Sequence, residues 1–336
     1  MKLLIITQKV DKTDPILGFF HKWIDEFASH CDSVTVVGQQ VGSHQLAENV
    51  EVISLEKERG RKNISQIIRF WKIIWSNRKE YDSVLVHMTP VWILIGAPLW
   101  IVLRKPMYLW YEIKRGSWKL TASLFFVKKV FAASEHGLPT IAKKQKIVGH
   151  GIDIDTFVPQ KDLREPKHLV AIGRLTKVKH YEVILKALST LDDCRLTIAG
   201  GTITSSDKEE EKRLRDLMHR LNIADRVEIG WGSPEDIPQL LQRADVMLHA
   251  SQGGLDKVVL QAMSCGCPVV STSEAAIDEL PESCCANERT MSAKVDAITR
   301  LGNHDRDILS EELRKIVSNE HSLKQCISEI VTHMNS

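Results

Sequence analysis

Leu169-Val170-Ala171-Ile172-Gly173-Arg174-Leu175-Thr176-Lys177-Val178-Lys179 is the stretch on which the reading of the fold turns. Four apolar residues, two of them β-branched, make a short buried strand. A glycine ends the run, and a segment of helical spacing follows at 181–188. The same arrangement has already passed once through the first half of the chain, so position 169 is where it starts again. Strand candidates before that point are 3–6, 34–37, 52–55, 84–87, 108–111, 130–132 and 146–148. From there on they are 169–172, 195–199, 227–229, 246–248 and 268–270. Helix-length segments fall between them, at 18–29 and 63–77 in the first half and at 181–188, 208–221, 234–243, 257–264 and 274–280 in the second. Near-continuous apolar strands alternating with helices indicate parallel sheets covered on both faces. The expected fold class is therefore α/β, with two doubly wound, Rossmann-like domains.

The bulk numbers agree. A chain of 336 residues suggests two domains at a prior of about 150 residues each. Residues 157–166 carry two prolines and several charges and read as the linker. Residues 1–157 and 167–318 are the expected domains, and 319–336 a terminal helical segment. A net charge of +2 gives no electrostatic reason to expect a nucleic-acid partner. The segment Met1-Lys2-Leu3-Leu4-Ile5-Ile6-Thr7-Gln8-Lys9 turns polar too soon for a signal peptide and reads as a first strand. The longest apolar run, 91–103, contains Gly96 and Pro98 and is shorter than the roughly 20 residues a membrane span needs. The expectation is a cytoplasmic protein whose seven cysteines are free thiols.

In doubly wound sheets, ligands sit outside the carboxyl ends of the strands, and domain interfaces favour pockets. Three loops so placed carry chemistry. In the first, Gly173 permits a tight turn, Arg174 offers a planar fork for phosphate oxygens and Lys179 a mobile point charge. Such a pair can neutralise a departing diphosphate without a metal. A solvated basic turn has the same pattern. The second is Gln252-Gly253-Gly254-Leu255-Asp256-Lys257-Val258-Val259-Leu260-Gln261. Gly253 and Gly254 allow close approach of the backbone to a ligand, and Asp256 is placed to cap the helix that starts at Lys257. A glycine loop feeding a helix start is an anion site. Gln261 lies one turn beyond Lys257 on the same helix face, where it can meet ribose hydroxyls. A capped core helix is the plainer alternative. The third loop is Gly149-His150-Gly151-Ile152-Asp153.

Taken in order and at their spacing, Gly-His-Gly-Ile-Asp, Gly-Arg-Leu-Thr-x-x-Lys and Leu-Asp-Lys-Val-Val-Leu-Gln-Ala-Met-Ser-Cys-Gly-Cys-Pro-Val-Val resemble glycosyltransferase family 4. Ser134-Glu135 and the loop around Gly18-Phe19-Phe20 fit as well, and Val86-His87-Met88-Thr89-Pro90 is similar to one bacterial branch. The likeness runs from Met1 to about Val270. It implies a GT-B fold, two facing domains with the final helices crossing back to the first. It also implies donor diphosphate held by Arg174 and Lys179, and sugar and ribose bound by Gly253, Gly254, Leu255, Asp256, Lys257 and Gln261. Gly18, His150 and Gly151 fall on its N-terminal glycine loop and interdomain loop. The family retains anomeric configuration and needs no metal or cofactor, the nucleotide-sugar being a substrate.

Two positions depart from the pattern. The family commonly has glutamates at the positions of Gly253 and Gln261; the branch this chain resembles lacks the first and usually keeps the second. That branch often has a histidine at Ile113, whose role Glu112 or His87 would then take over. The resemblance implies a hexosyltransferase serving cell-surface polysaccharide or glycolipid assembly, with a glycan or lipid-linked acceptor. The departures leave open a non-catalytic GT-B binding subunit, and the fold leaves open a sugar-nucleotide epimerase.

Other patterns carry less. Asp153-Ile154-Asp155 looks like a D-x-D metal motif, yet two carboxylates alone make a poor magnesium site. Cys265, Cys267, Cys284 and Cys285 lack zinc-knuckle spacing. There is no G-x-G-x-x-G after Ile6 and no G-x-S-x-G. His87 ends a strand and is expected at the mouth of the cleft, on the acceptor side. Arg69, Trp71, Lys72, Trp75, Arg78 and Lys79 crowd one helix, with Ile67, Ile68, Ile73 and Ile74 among them. This is the composition of a helix that lies on an anionic membrane, the inner face of the plasma membrane here, or packs on its own sheet.

Overall fold

Seven strands form the first sheet: β1 (Lys2–Val10), β2 (Ser33–Val41), β3 (Val50–Ser54), β4 (Ser83–His87), β5 (Met107–Trp110), β6 (Lys129–Ala132) and β7 (Gln145–Ile147). Five form the second: β8 (His168–Ile172), β9 (Arg195–Ala199), β10 (Val227–Gly230), β11 (Val246–His249) and β12 (Val269–Ser271). This is a computed structural model that describes residues 1–60, 62–140, 142–230 and 233–336, and the element counts refer to those residues. The strand orders are β3-β2-β1-β4-β5-β6-β7 and β10-β9-β8-β11-β12, with every neighbouring pair parallel. Each order reverses beside its first strand, between β1 and β4 and between β8 and β11. The chain divides into two units, Met1–Gly151 with Leu323–Ser336, and Ile152–Ser322.

In the first unit, Leu3, Leu4, Ile5 and Ile6 are all fully buried, as a parallel strand covered on both faces must be. Leu4 and Ile6 share one core with Phe70, Ile74, Trp92, Trp100 and Leu120. That core joins the helices Asn63–Ser76, Val91–Val102 and Trp118–Ser123 into a single layer. The apolar run at 91–103 is thus a helix, with Pro98 inside it. A Cβ on Gly96 would sit 2.3 Å from the Trp100 ring, so glycine is what lets that indole bury completely. The helices Phe19–His30 and Leu323–Asn335 pack together. The Tyr108 hydroxyl donates to Met334 O at 2.9 Å and Lys129 Nζ to His333 O at 2.6 Å.

In the second unit the helix Ser205–Arg220 starts on a capping box between Thr204 and Asp207. The stretch 157–166, expected as the linker, is instead bound into this unit. Ser264 Oγ and Arg314 Nη1 donate to Phe157 O, and Gln242 Nε2 donates to Val158 O at 2.9 Å. The chain therefore changes units after Gly151 and again after Ser322, not at 157 and 318. Charged residues and prolines marked this segment as solvent-exposed linker, but its backbone carbonyls find partners in the helices it crosses.

Candidate functional site

β8 and β11 are adjacent and parallel, with Leu169 opposite Val246 and Val170 opposite Met247. Their following loops therefore emerge side by side at the point where strand order reverses, the usual ligand position in such sheets. The sequence places Gly173, Arg174 and Lys179 in one of these loops and 252–256 in the other. Gln252 N donates to Val178 O at 3.1 Å and stitches the two together. Leu175 N donates to Gly201 O at 3.1 Å and ties the first loop to the one after β9. Gly173 has φ +139°, a conformation that strains any residue with a side chain. Its carbonyl lies where a Cβ on Gly200 would be 1.9 Å away, so the close contact of these two backbones requires glycine at 200. The Tyr181 hydroxyl donates to Gly173 O at 2.7 Å.

Lys179 Nζ meets Asp256 Oδ2 at 2.5 Å. The same oxygen receives His249 Nε2 at 2.9 Å, and His249 Nδ1 lies 2.9 Å from Ser271 Oγ. A carboxylate only accepts, so Nε2 carries the proton, and in the neutral ring Nδ1 accepts from the serine hydroxyl. Ser271 Oγ then takes Ser273 N at 3.1 Å. The chain Lys179–Asp256–His249–Ser271 thus crosses the ends of β8, β11 and β12. Burial opposes ionisation of Asp256, but the Lys179 charge and His249 outweigh it and hold the carboxyl well below the usual carboxylate range.

Asp256 does stand at the N-cap of the helix Lys257–Ser264, but its side chain makes no capping bond. It serves as counter-ion to Lys179 instead, because an ammonium outbids a helix amide for a half-buried carboxylate. Lys179 is accordingly an ion-paired residue and not a loose point charge. Arg174 is exposed, and its guanidinium makes no hydrogen bond or ion pair among the described residues; its charge is felt at Asp207. Gln261 is half-buried with its side-chain amide unengaged among the described residues. Gly253 and Gly254 are half-buried. A Cβ on Gly253 would be 3.6 Å from Ser251 Oγ, so nothing in the protein itself demands glycine there. Leu255 is buried and Lys257 half-buried. Over residues 173–180 and 252–261 there are four Lys and Arg against one carboxylate, which makes this corner a cationic site.

The candidates of the first unit lie differently. His87 ends β4 but is 1% exposed, stacked on Phe20 at 4.0 Å between centroids and flanked by Trp23 and Trp110. Its Nδ1 lies 3.2 Å from Thr7 Oγ1. It is enclosed in an aromatic cluster, because the helix Phe19–His30 folds its aromatic face over it. Gly18 precedes that helix, and a Cβ there would sit 2.6 Å from Asp14 O. His150 is buried beside Trp110. Gly151 has φ +61° and lies so close to Trp23 that a Cβ would be 2.5 Å from the indole, which donates to Gly151 O at 3.1 Å. Ile113 is exposed. Glu112 accepts from Ala133 N at 2.7 Å and from Ser134 Oγ at 3.0 Å, so it is spent on holding the end of β6. Asp153 accepts from Asp155 N, Thr156 N and Thr156 Oγ1, a local turn. Among the described residues no disulfide joins the seven cysteines, and burial pushes the Cys265 thiol up to about 12.

His249, Ser271, Tyr181 and Gly200 belong to the site and were not singled out from the sequence. The available signal was position: His249 closes an apolar strand beside the reversal point, as His87 does in the other sheet.

The Asp256 arrangement sets a pH dependence. The folded carboxyl ionises well below its unfolded value of about 4, so its contribution is complete above about pH 4 and is lost as pH falls further. The stability gap between the wild type and Asp256→Asn should be constant between about pH 5 and 8. Below about pH 4 it should narrow by about 1.4 kcal/mol per pH unit. Urea titrations across that range measure it, and a gap as wide at the acid end as at neutrality would refute the assignment.

Residues 153–329, more than half of the chain, match the family described as glycosyl transferases group 1. A D-inositol 3-phosphate glycosyltransferase of Mycobacteroides abscessus is 32% identical over 155 residues, covering 43% of this chain and 34% of that protein. The putative colanic acid biosynthesis glycosyltransferase WcaL of Escherichia coli is 29% identical over 143 residues, covering 40% and 35%. The chain thus spans about a third of the length of the curated relatives it matches. Among solved structures, Anabaena HepE in complex with UDP and glucose is similar over 100% of both chains, with a TM-score of 0.79 at 17% identity. A glycosyltransferase from Rickettsia africae covers 100% of this chain and 98% of its own, with a TM-score of 0.75 at 15% identity. These likenesses show the GT-B fold. With the family match over the unit that carries the cationic site, they establish that the chain belongs to the glycosyl transferases group 1.

Proposed function

We propose that the protein transfers a sugar from a nucleoside diphosphate sugar to a glycan or lipid-linked acceptor, with retention at the anomeric carbon and without a metal. The reading rests chiefly on one observation. Two loops at the strand-order reversal of the second unit are stitched together, pair Lys179 with Asp256, and carry four Lys and Arg with one carboxylate in their sequence, next to the start of the helix Lys257–Ser264. As the bond between the anomeric carbon and the diphosphate breaks, negative charge grows on the leaving oxygen. Fixed cations and helix amides aimed there lower the barrier, since they need no reorganisation at the moment of reaction. Arg174 takes the phosphate oxygens in its fork, and Lys179, shared with Asp256, is pre-positioned to meet them. Gln261 contacts the ribose or sugar hydroxyls as a neutral acceptor. UDP-glucose is the first donor to test, because HepE was solved with UDP and glucose.

The test is a thermal-shift screen of the whole chain against UDP, GDP, ADP and their glucose conjugates. One nucleotide at about 100 times its dissociation constant should stabilise the fold by roughly 2.7 kcal/mol. No shift with any nucleoside diphosphate would end the reading. Gln261 and the exposed Ile113 favour a second reading, a GT-B subunit that binds a nucleotide-sugar without turning it over. Binding without sugar release or transfer, unchanged in Gln261→Glu, would select it.

A further inference from the structure

The helix Asn63–Ser76 is apolar on two sides. Phe70, Ile73 and Ile74 face the core. Ile64, Ile68, Trp71 and Trp75 follow at intervals of four, three and four residues and form one stripe on the opposite side. They are 74%, 66%, 38% and 53% exposed. A helix with a second apolar face has a second environment to bury it in. The stripe does not stand alone. The helices Val91–Val102 and Trp118–Ser123 share the same core layer, and they leave Val102 and Trp118 77% and 72% exposed, with Phe125 just beyond at 79%. Three adjacent helices of one layer therefore present large apolar side chains outward.

Charge identifies the occupant. Residues 57–128 hold fourteen Lys and Arg against four Asp and Glu, a local excess of +10 in a chain whose net charge is +2. The acids there are taken up locally: Glu80 pairs with Lys2, Asp82 accepts Lys2 N, Glu112 holds Ala133 and Ser134, and Glu58 accepts Ser54 Oγ. Lys72 is exposed on the same helix and Lys79 three residues past its end, and the Arg78 guanidinium lies 4.5 Å from the centre of the Trp75 ring. Exposed tryptophans interleaved with lysine and arginine suit the headgroup level of a bilayer, where an indole has both an apolar and a polar side to satisfy. Among the described residues no helix is long and apolar enough to cross a membrane. We infer that this three-helix face of the first unit docks the protein on the surface of an anionic bilayer, with Ile64, Ile68, Trp71 and Trp75 entering the interface and the flanking cations meeting lipid phosphates. This goes beyond the sugar-transfer reading and does not depend on it.

The test is flotation of the whole chain with vesicles of phosphatidylcholine alone or mixed with phosphatidylglycerol, at low and high salt. Binding is expected to the anionic vesicles at low salt and to fall at high salt, since exposed charges are screened. Lys72→Gln and Lys79→Gln should each weaken it roughly fivefold. Ile68→Ser with Trp75→Ser should abolish it, and Trp118→Ser with Phe125→Ser, on a separate segment, gives an independent check. All four residues are exposed, so an unchanged thermal midpoint confirms folding. Absence of flotation with phosphatidylglycerol at low salt would overturn the proposal. So would flotation unaffected by both apolar pairs, or equal binding to vesicles without phosphatidylglycerol. Self-association seen by light scattering, lost in Ile68→Ser with Trp75→Ser while flotation persists, would assign the face to a second copy instead.

Discussion

Arg174→Ala is expected to lower turnover of a confirmed donor by a factor of about a hundred to a thousand, the usual effect of removing one preorganised group that stabilises developing charge. Its thermal midpoint should stay at the wild-type value, because the Arg174 guanidinium is exposed and makes no hydrogen bond or ion pair among the described residues. The combination is diagnostic: a side chain idle in the folded protein but needed in the reaction must be acting on the substrate. Arg174→Lys should recover part of the rate, since the charge returns without the planar fork. Lys179→Ala forms the contrast. It strands the Asp256 carboxylate on His249 alone, so it should cost stability as well as rate. Steady-state kinetics with the donor found by the thermal screen measure these effects. A rate for Arg174→Ala within about threefold of wild type, against the hundredfold or more expected, would sink the proposed roles.

The second large effect is on stability. Asp245→Ala should destabilise the protein by about 3–5 kcal/mol, because it leaves a buried cation without its counter-charge. Asp245 is 1% exposed and Arg306 6%. Arg306 Nη2 lies 2.9 Å from Asp245 Oδ1, Nη1 donates to Asp245 O at 3.0 Å, and Nη2 donates to Ile298 O at 2.7 Å. Lys167 N donates to Asp245 Oδ2 at 2.7 Å, and Asp245 N donates to His168 O at 2.7 Å. Burial pulls the Arg306 guanidinium below its ordinary pKa even with the carboxylate present. The cluster pins the amino ends of β8 and β11 together, and the carboxyl ends of the same two strands carry the cationic loops. At about 2–4 °C per kcal/mol for a unit of this size, the midpoint should fall by roughly 10 °C. Arg164→Ala removes the outer partner, which is part-exposed, and should cost less than about 1 kcal/mol. Urea and thermal unfolding check both. A loss below about 1 kcal/mol for Asp245→Ala, no more than an exposed pair contributes, would show that the guanidinium finds other compensation.

Much of the fold was readable because parallel strands buried on both faces are apolar throughout. All twelve expected runs fall within or overlap the strands found. The strands reach further where their ends turn polar, as β1 does through Thr7 and Lys9 to Val10 and β2 through Gln39 and Gln40 to Val41. The helix Val91–Val102 was not readable as one, since it is apolar on every side, contains a glycine and a proline, and so has no period to detect. In the site, the order of motifs was legible but the pairing of Lys179 with Asp256 was not. Seventy-seven positions separate the two residues, and only the adjacency of β8 and β11 brings them together. Reading Asp256 as a cap followed local chemistry, which a tertiary partner overrode. The position of His87 at a strand end was legible, but its burial was not, because Phe20 and Trp23 lie on a helix some sixty positions earlier.

The helix Leu323–Asn335 belongs to the unit that begins at Met1. On the ribosome the seven strands of that unit are made before Ile152–Ser322, while the segment whose carbonyls receive Tyr108 and Lys129 is made after it. Ile152–Ser322, the 171 residues between, take roughly 10 to 30 s to translate. The nascent first unit must wait through that interval with the surface facing this helix uncovered, so chaperone demand should persist after its own sheet is complete and fall once this helix is made.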